Sequence, residues 1–171
     1  MSNYKNKWPL WFSIGVAVVF LFFISRGTLA NWAWQKYHLP KIALILNKSD
    51  AGLAMLIGNS YFNGVVGSRE YNIDIAEKAF KKAVLINPKI LWGHYQLARI
   101  LFVKGEYNRA LKEINRELEV NPANLRSLYI RGLVFGYRGQ SLDLEKAEVD
   151  FKQFTLWAPK EWAGYNDLAW V

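Results

Sequence analysis

The stretch ILWGHYQLARILFVKGEYNRALKEINRELEVNP, residues 90–122, decides the fold. Its apolar residues recur at helical spacing on both sides of Gly105, which reads as two amphipathic helices joined at a glycine turn. Ala98 in the first helix and Ala110 in the second are small, so two antiparallel rods can approach closely where these residues face each other. Asn87-Pro88 and Asn121-Pro122 bound the stretch and lie 34 residues apart, and Ala158-Pro159 follows 37 residues later. Proline marks a break each time, because it cannot continue a helix. The positions equivalent to Ala98 in the other repeats are Gly58, Gly132 and Ala169, and those equivalent to Ala110 are Ala76 and Ala147. Every one is Gly or Ala. Phe80, Ile114 and Phe151 each follow the second small residue by one helical turn and face inward. The pattern predicts helices over 50–63, 73–86, 90–104, 107–120, 124–137, 143–157 and 160–170.

A period of 34 residues is that of the tetratricopeptide repeat. Leu97, Ala98, Leu101, Gly105, Tyr107, Ala110 and Pro122 match that family's pattern, and residues 90–122 resemble one repeat over its full length. The resemblance implies an all-α fold: an α-solenoid of antiparallel hairpins over 50–171. It holds about three repeats (51–88, 91–122 and 125–159) and one extra helix opening a partial repeat at 160–171. Two repeats depart from the pattern by extra residues at 64–72 and 139–143, both rich in Gly, Ser, Asn and Asp, which read as lengthened turns.

In this family the first helix of each repeat lines a concave surface that holds other proteins. Carried onto this chain, the lining is Asn59 and Phe62, then Trp92, Tyr95, Arg99, Phe102 and Val103, then Arg126, Tyr129, Leu133 and Tyr137, and finally Asn166. Exposed Trp, Tyr and Arg are the residue types that carry binding energy at interfaces. The competing reading is that individual aromatics pack between helices. Met55 and Ile130 stand where the clamp for acidic chaperone tails uses polar or basic side chains, which disfavours that ligand.

The N-terminal end reads differently. Trp8 to Ile24 carries no charge, and Leu10 to Ile24 holds eleven Leu, Ile, Val or Phe. The expectation is a basic tail (1–7), a transmembrane helix (8–25, extending to about 34), and a juxtamembrane connector (26–49). Trp8 and Trp11 at one end and Trp32 and Trp34 at the other would sit at the membrane interfaces, with Arg26 snorkelling outward. A cleaved signal peptide is the rival, disfavoured because the apolar run exceeds the usual 7–15 residues. The short basic tail would stay in the cytoplasm and place the repeats outside it. A cytosol-facing organellar receptor is the alternative topology.

The net charge of +8 is unevenly spread. Six Lys or Arg and no acid precede Asp50, so from Asp50 onward 16 basic residues face 14 acidic ones. The basic character belongs to the N-terminal segment, where it suits anionic lipid; a nucleic-acid partner would call for a basic stripe on the folded domain.

Chemistry finds little support. There is no cysteine, and neither His38 nor His94 has a companion at ligand spacing. Glu113, Glu117 and Glu119 share a helix with Arg109, Lys112 and Arg116, as on a solvated face. Gly132, Gly136 and Gly139 are not followed by the Lys-Ser or Lys-Thr of a phosphate loop. No enzyme activity, cofactor or metal is expected. The expected function is a membrane-anchored scaffold binding a peptide or partner helix in the groove. The alternative is a structural subunit of a membrane assembly, homo- or hetero-oligomeric, that uses the open face of Trp162 to Val171.

Overall fold

The computed structural model describes residues 8–63 and 71–171. Nine helices run through the described residues: α1 (Trp8–Gln35), α2 (Pro40–Leu46), α3 (Ala51–Phe62), α4 (Ile73–Ile86), α5 (Gly93–Val103), α6 (Tyr107–Val120), α7 (Leu125–Arg138), α8 (Asp143–Trp157) and α9 (Trp162–Trp170). Three hairpins, α3–α4, α5–α6 and α7–α8, stack in chain order, and α9 packs on α8. No strand occurs among the described residues. The N-terminal tail 1–7 and most of the lengthened turn expected at 64–72 lie outside them.

Local chemistry sets the helix ends. Asp50, Asn72 and Asn124 accept hydrogen bonds from the backbone N–H groups of Leu53 (2.9 Å), Ile75 (3.1 Å) and Ser127 (3.2 Å), capping α3, α4 and α7. At the α5–α6 turn Gly105 adopts φ +73°. There the N–H groups of Gly105 and Glu106 return to the carbonyls of Phe102 and Leu101, at 2.9 and 2.8 Å. Such a left-handed stop favours glycine, which has no Cβ to clash.

The small residues do what their spacing implies. A Cβ built on Gly58 would lie 2.5 Å from the Phe80 ring, and one on Gly132 would lie 2.6 Å from Phe151. Where the inward residue is instead Ile114, the facing residue is Ala98, and both are fully buried in one cluster. Phenylalanine pairs with glycine and isoleucine with alanine, so the summed bulk at each crossing is held nearly constant, as a close-packed interior demands. Ala169, the fourth member of the series, is exposed.

The membrane-anchor expectation is corrected. Among the described residues no helix is long and apolar enough to cross a membrane. The apolar run stops at Ser25-Arg26, at the short end of the roughly 20 residues a bilayer core requires, and beyond it α1 serves as a protein-packing helix. Ala30, Ala33 and Trp34 join Ala43 of α2, Leu53 and Ile57 of α3, and Ala79 of α4 in one buried cluster. Trp34, expected at a membrane interface, is only 6% exposed, with its ring edge-on to His38 and tilted on Tyr61. Trp11 and Trp32 are exposed, and Trp32 stacks edge-on with Tyr37 rather than marking a belt. Arg26 is part-buried on α1, and the side chain of Trp8 lies outside the described residues. The single-pass reading, and with it the extracytoplasmic placement of the repeats, is withdrawn. The connector range 26–49 contains the end of α1 and the whole of α2, which pack together as a further hairpin.

Candidate functional site

The expected lining residues come from α3, α5, α7 and α9, and the structure divides them into two neighbouring regions. The first is a cavity of about 550 Å³ bounded by Trp92, Tyr95 and Arg99 of the second repeat, Arg126, Tyr129 and Ile130 of the third, and Phe154, Glu161 and Ala163 beyond. Five of the sequence-read residues meet here. The second, of about 470 Å³, is formed by Leu133, Tyr137, Asn166, Asp167, Ala169 and Trp170. Between them the Tyr129 hydroxyl donates to Asp167 at 2.6 Å, tying α7 to α9. Burial and that carboxylate hold the Tyr129 hydroxyl well above the usual phenol range, so it stays protonated as the donor.

Arg99 is held in place before any partner arrives. Its Nη1 donates to Asn63 (2.8 Å) and Gln96 (2.9 Å), and Gln96 in turn donates to Asn59 (3.0 Å). The guanidinium lies 4.8 Å from the Phe62 ring centre and 5.6 Å from that of Tyr95. Asn59 and Phe62 thus position Arg99 rather than enter the cavity. Arg126 is exposed and forms no salt bridge among the described residues, so it presents an available charge. Phe102 meets Tyr137 edge-on at 5.3 Å, and Tyr137 stacks on Trp170 at 5.8 Å. Trp170 lies against Gly136, where a Cβ would come within 2.7 Å of its ring. The competing reading of the aromatics is realised for Tyr95, only 8% exposed within the core. It fails for Tyr137, at 59%.

Beneath the cavity sits a residue the sequence assigned elsewhere. Glu117 is fully buried. Its carboxylate accepts from the backbone N–H groups of Trp92 (2.8 Å) and Tyr95 (3.2 Å) and from the side-chain amide of Asn124 (3.2 Å). A carboxylate from α6 therefore caps the start of α5, satisfying donors that open the helix and complementing its dipole. Trp92 stands there in the left-handed region at φ +69°, a conformation costly for a residue with a Cβ. The Glu117 bond to its N–H helps hold it, and the ring stands edge-on to Tyr95 at 5.4 Å. The solvated-face expectation holds for Glu119, which is exposed, and fails for Glu117. The available signal was its register: Glu117 follows Ile114 by three residues and Ala110 by seven, which puts it on the buried face of α6.

Two solved structures are similar to this chain. One, described as the crystal structure of MamA, superposes with a TM-score of 0.58 at 18% sequence identity, covering 81% of this chain and 80% of that one. A second MamA crystal structure gives 0.55 at 18% identity, covering 78% of this chain and 71% of that chain. The fold is tetratricopeptide-like. No family model and no curated protein matches the sequence. In the tetratricopeptide-like stack α5 and α7, the first helices of successive hairpins, are in contact, and Trp92, Tyr95, Arg99, Arg126 and Tyr129 meet at one cavity.

The remaining histidine of the repeats is structural. His94 is buried at the start of α5, its Nδ1 2.7 Å from Glu113 and its Nε2 3.1 Å from the Pro88 carbonyl. Both ring nitrogens face acceptors, so the doubly protonated imidazolium fits the site. The hydrogen bond that His94 donates to Glu113 raises the His94 pKa above 6.5 against the opposing effect of burial. Burial pushes the Glu113 carboxyl up, but His94 and Arg116 outweigh it and leave it below 4.5. The His94 contribution to stability is complete below pH 6.5 and fades as pH rises through the raised folded value. The Glu113 contribution is complete above pH 4.5 and fades as pH falls through the lowered one. Urea denaturation is expected to show the wild type losing stability from pH 6 to pH 9, with a smaller loss in Glu113→Ala. That variant lacks a charged hydrogen bond of about 1.5–3 kcal/mol at pH 6. Parallel pH profiles for the two proteins would contradict the assignment.

Proposed function

We propose that this chain is a protein-interaction scaffold that holds an extended peptide or partner helix along its concave face, with the cavity between α5 and α7 as the anchoring point. The observation that carries the reading is the convergence of Trp92, Tyr95, Arg99, Arg126 and Tyr129 on one cavity of about 550 Å³. Arg99, fixed by Asn63 and Gln96, loses little freedom on binding, which favours affinity. Trp92 and Tyr129 supply aromatic faces, and Arg126 an uncompensated charge. Such a site suits a segment that combines an aromatic or aliphatic anchor with a carboxylate.

Panning a displayed peptide library on the full chain tests this. Enriched peptides are expected to carry an acidic residue beside a large apolar one, and to bind the Arg99→Ala/Arg126→Ala variant at least about tenfold more weakly, as loss of a central hot spot does. Peptides that bind the folded variant equally well, or no enrichment at all, would count against the groove.

A second reading, a subunit of a larger assembly, is supported by the exposure of Leu156, Trp157, Trp162 and Trp170 on α8 and α9. Large exposed apolar side chains mark association sites where they gather into a patch. Self-association of the purified chain in sedimentation, abolished by Trp157→Ser/Trp162→Ser, separates this reading from the first.

A further inference from the structure

α2 and α4 enclose a groove of about 770 Å³ that shares no lining residue with the cavity between α5 and α7. Lys41 and Lys48 stand on its α2 side, Lys78 and Lys82 on its α4 side. None of the four forms a salt bridge among the described residues, whereas the neighbouring Lys81 pairs with Glu77. The groove also includes Asp74, whose carboxylate is already engaged by Lys104 at 2.8 Å. Asn72 is likewise committed, since its side-chain oxygen caps α4. Among the described residues, the groove therefore presents positive charge with no uncommitted acid in its lining. Its floor is apolar: Leu44 and Ile75 are half-buried, and Ile45 projects at 68% exposure. Short as it is, α2 buries Ala43 in the core and turns Ile45 outward.

We propose that this groove docks an acidic amphipathic segment of a partner protein, whose carboxylates meet the four lysines while its apolar residues cover Leu44, Ile45 and Ile75. Charge complementarity selects the sign of the partner, and the floor selects its amphipathicity. A phosphate chain would set charge against the isoleucines, and a single small anion would leave most of the floor uncovered. A bilayer surface would meet the rim lysines without reaching between the helices. An acidic segment with an apolar stripe satisfies both features at once.

The test uses the full chain and a fluorescein-labelled two-heptad peptide with Leu and Glu on opposite faces, followed by fluorescence anisotropy. Binding is expected, and Lys78→Glu/Lys82→Glu should weaken it at least about tenfold, as charge reversal at a complementary interface does. Raising the salt should weaken it as well, because exposed charges are screened. The same peptide with Lys for Glu should not bind, and Ser for Leu should weaken binding by a similar factor. If the charge-reversed protein loses its helical circular dichroism, Lys41→Gln/Lys48→Gln provides the same comparison on the other wall. Arg99→Ala/Arg126→Ala, in the concave cavity, should leave this binding unchanged. The proposal is overturned by equal binding to the folded lysine variants, or by equal binding of the basic peptide. It is also overturned if phosphatidylserine vesicles retain the protein through these lysines while the acidic peptide fails to bind.

Discussion

Phe151→Ala is expected to destabilise the chain by about 3–5 kcal/mol, the usual cost of removing a fully buried phenylalanine from a core that cannot collapse around the void. Phe151 is completely buried and its ring presses on Gly132 at the crossing of α7 and α8. The converse change, Gly132→Ala, places a Cβ 2.6 Å from that ring and is expected to cost about 1–3 kcal/mol through overpacking. The informative variant combines Gly132→Ala with Phe151→Ile, which reproduces the alanine and isoleucine found together at Ala98 and Ile114. Alanine then occupies space that the smaller side chain vacates, so the double variant should cost less than the sum of its parts, with a coupling of about 1 kcal/mol or more. Urea denaturation of the two single variants and the double gives the cycle directly. Strict additivity would mean that the two crossings are not packed on the same principle.

The other large effect is at the long turn between α7 and α8. Arg138 grips Asp143 through two parallel bonds of 2.8 Å, and the Gln140 N–H donates to the same carboxylate at 3.0 Å. Asp143 is almost entirely buried. Arg138→Ala leaves that carboxylate with only the Gln140 N–H and Lys146, 4.0 Å away, and the expected loss is about 3 kcal/mol, the low end for breaking a buried pair. The Arg138 hydrogen bond is the main reason the Asp143 pKa lies below 3.8 in the fold. Its contribution is therefore present above pH 3.8 and lost as pH falls through the lowered value. The stability gap between wild type and Arg138→Ala should accordingly be wide at neutral pH and narrow in strong acid. A gap independent of pH would show that Arg138 acts through packing alone.

The Arg138–Asp143 pair also shows where sequence reading stopped. The extra residues at 139–143 were legible as a lengthened turn, because Gly139 and Ser141 are turn formers. That Asp143 would fold back under Arg138 was not legible, since nothing in a five-residue separation says which side of a turn is covered. Glu117 was misread for a related reason. Local charge balance along α6 suggested solvent, whereas its partners are backbone N–H groups 22 and 25 residues away, on α5. The groove residues were expected as a set from equivalent repeat positions, and five of them meet at one cavity. Their division into those that line the cavity and those, such as Asn59 and Phe62, that brace Arg99 depends on side-chain directions that spacing does not encode.

By itself the sequence determined the hairpin repeat, its turns at Gly105 and Gly139, and the small residues at its crossings, because these follow from periodicity and steric bulk within about forty residues of chain. Only the tertiary structure decided the fate of the C-terminal part of α1. Hydrophobicity says that a surface avoids water but not what covers it. In the fold, Ala30, Ala33 and Trp34 are covered by α2, α3 and α4.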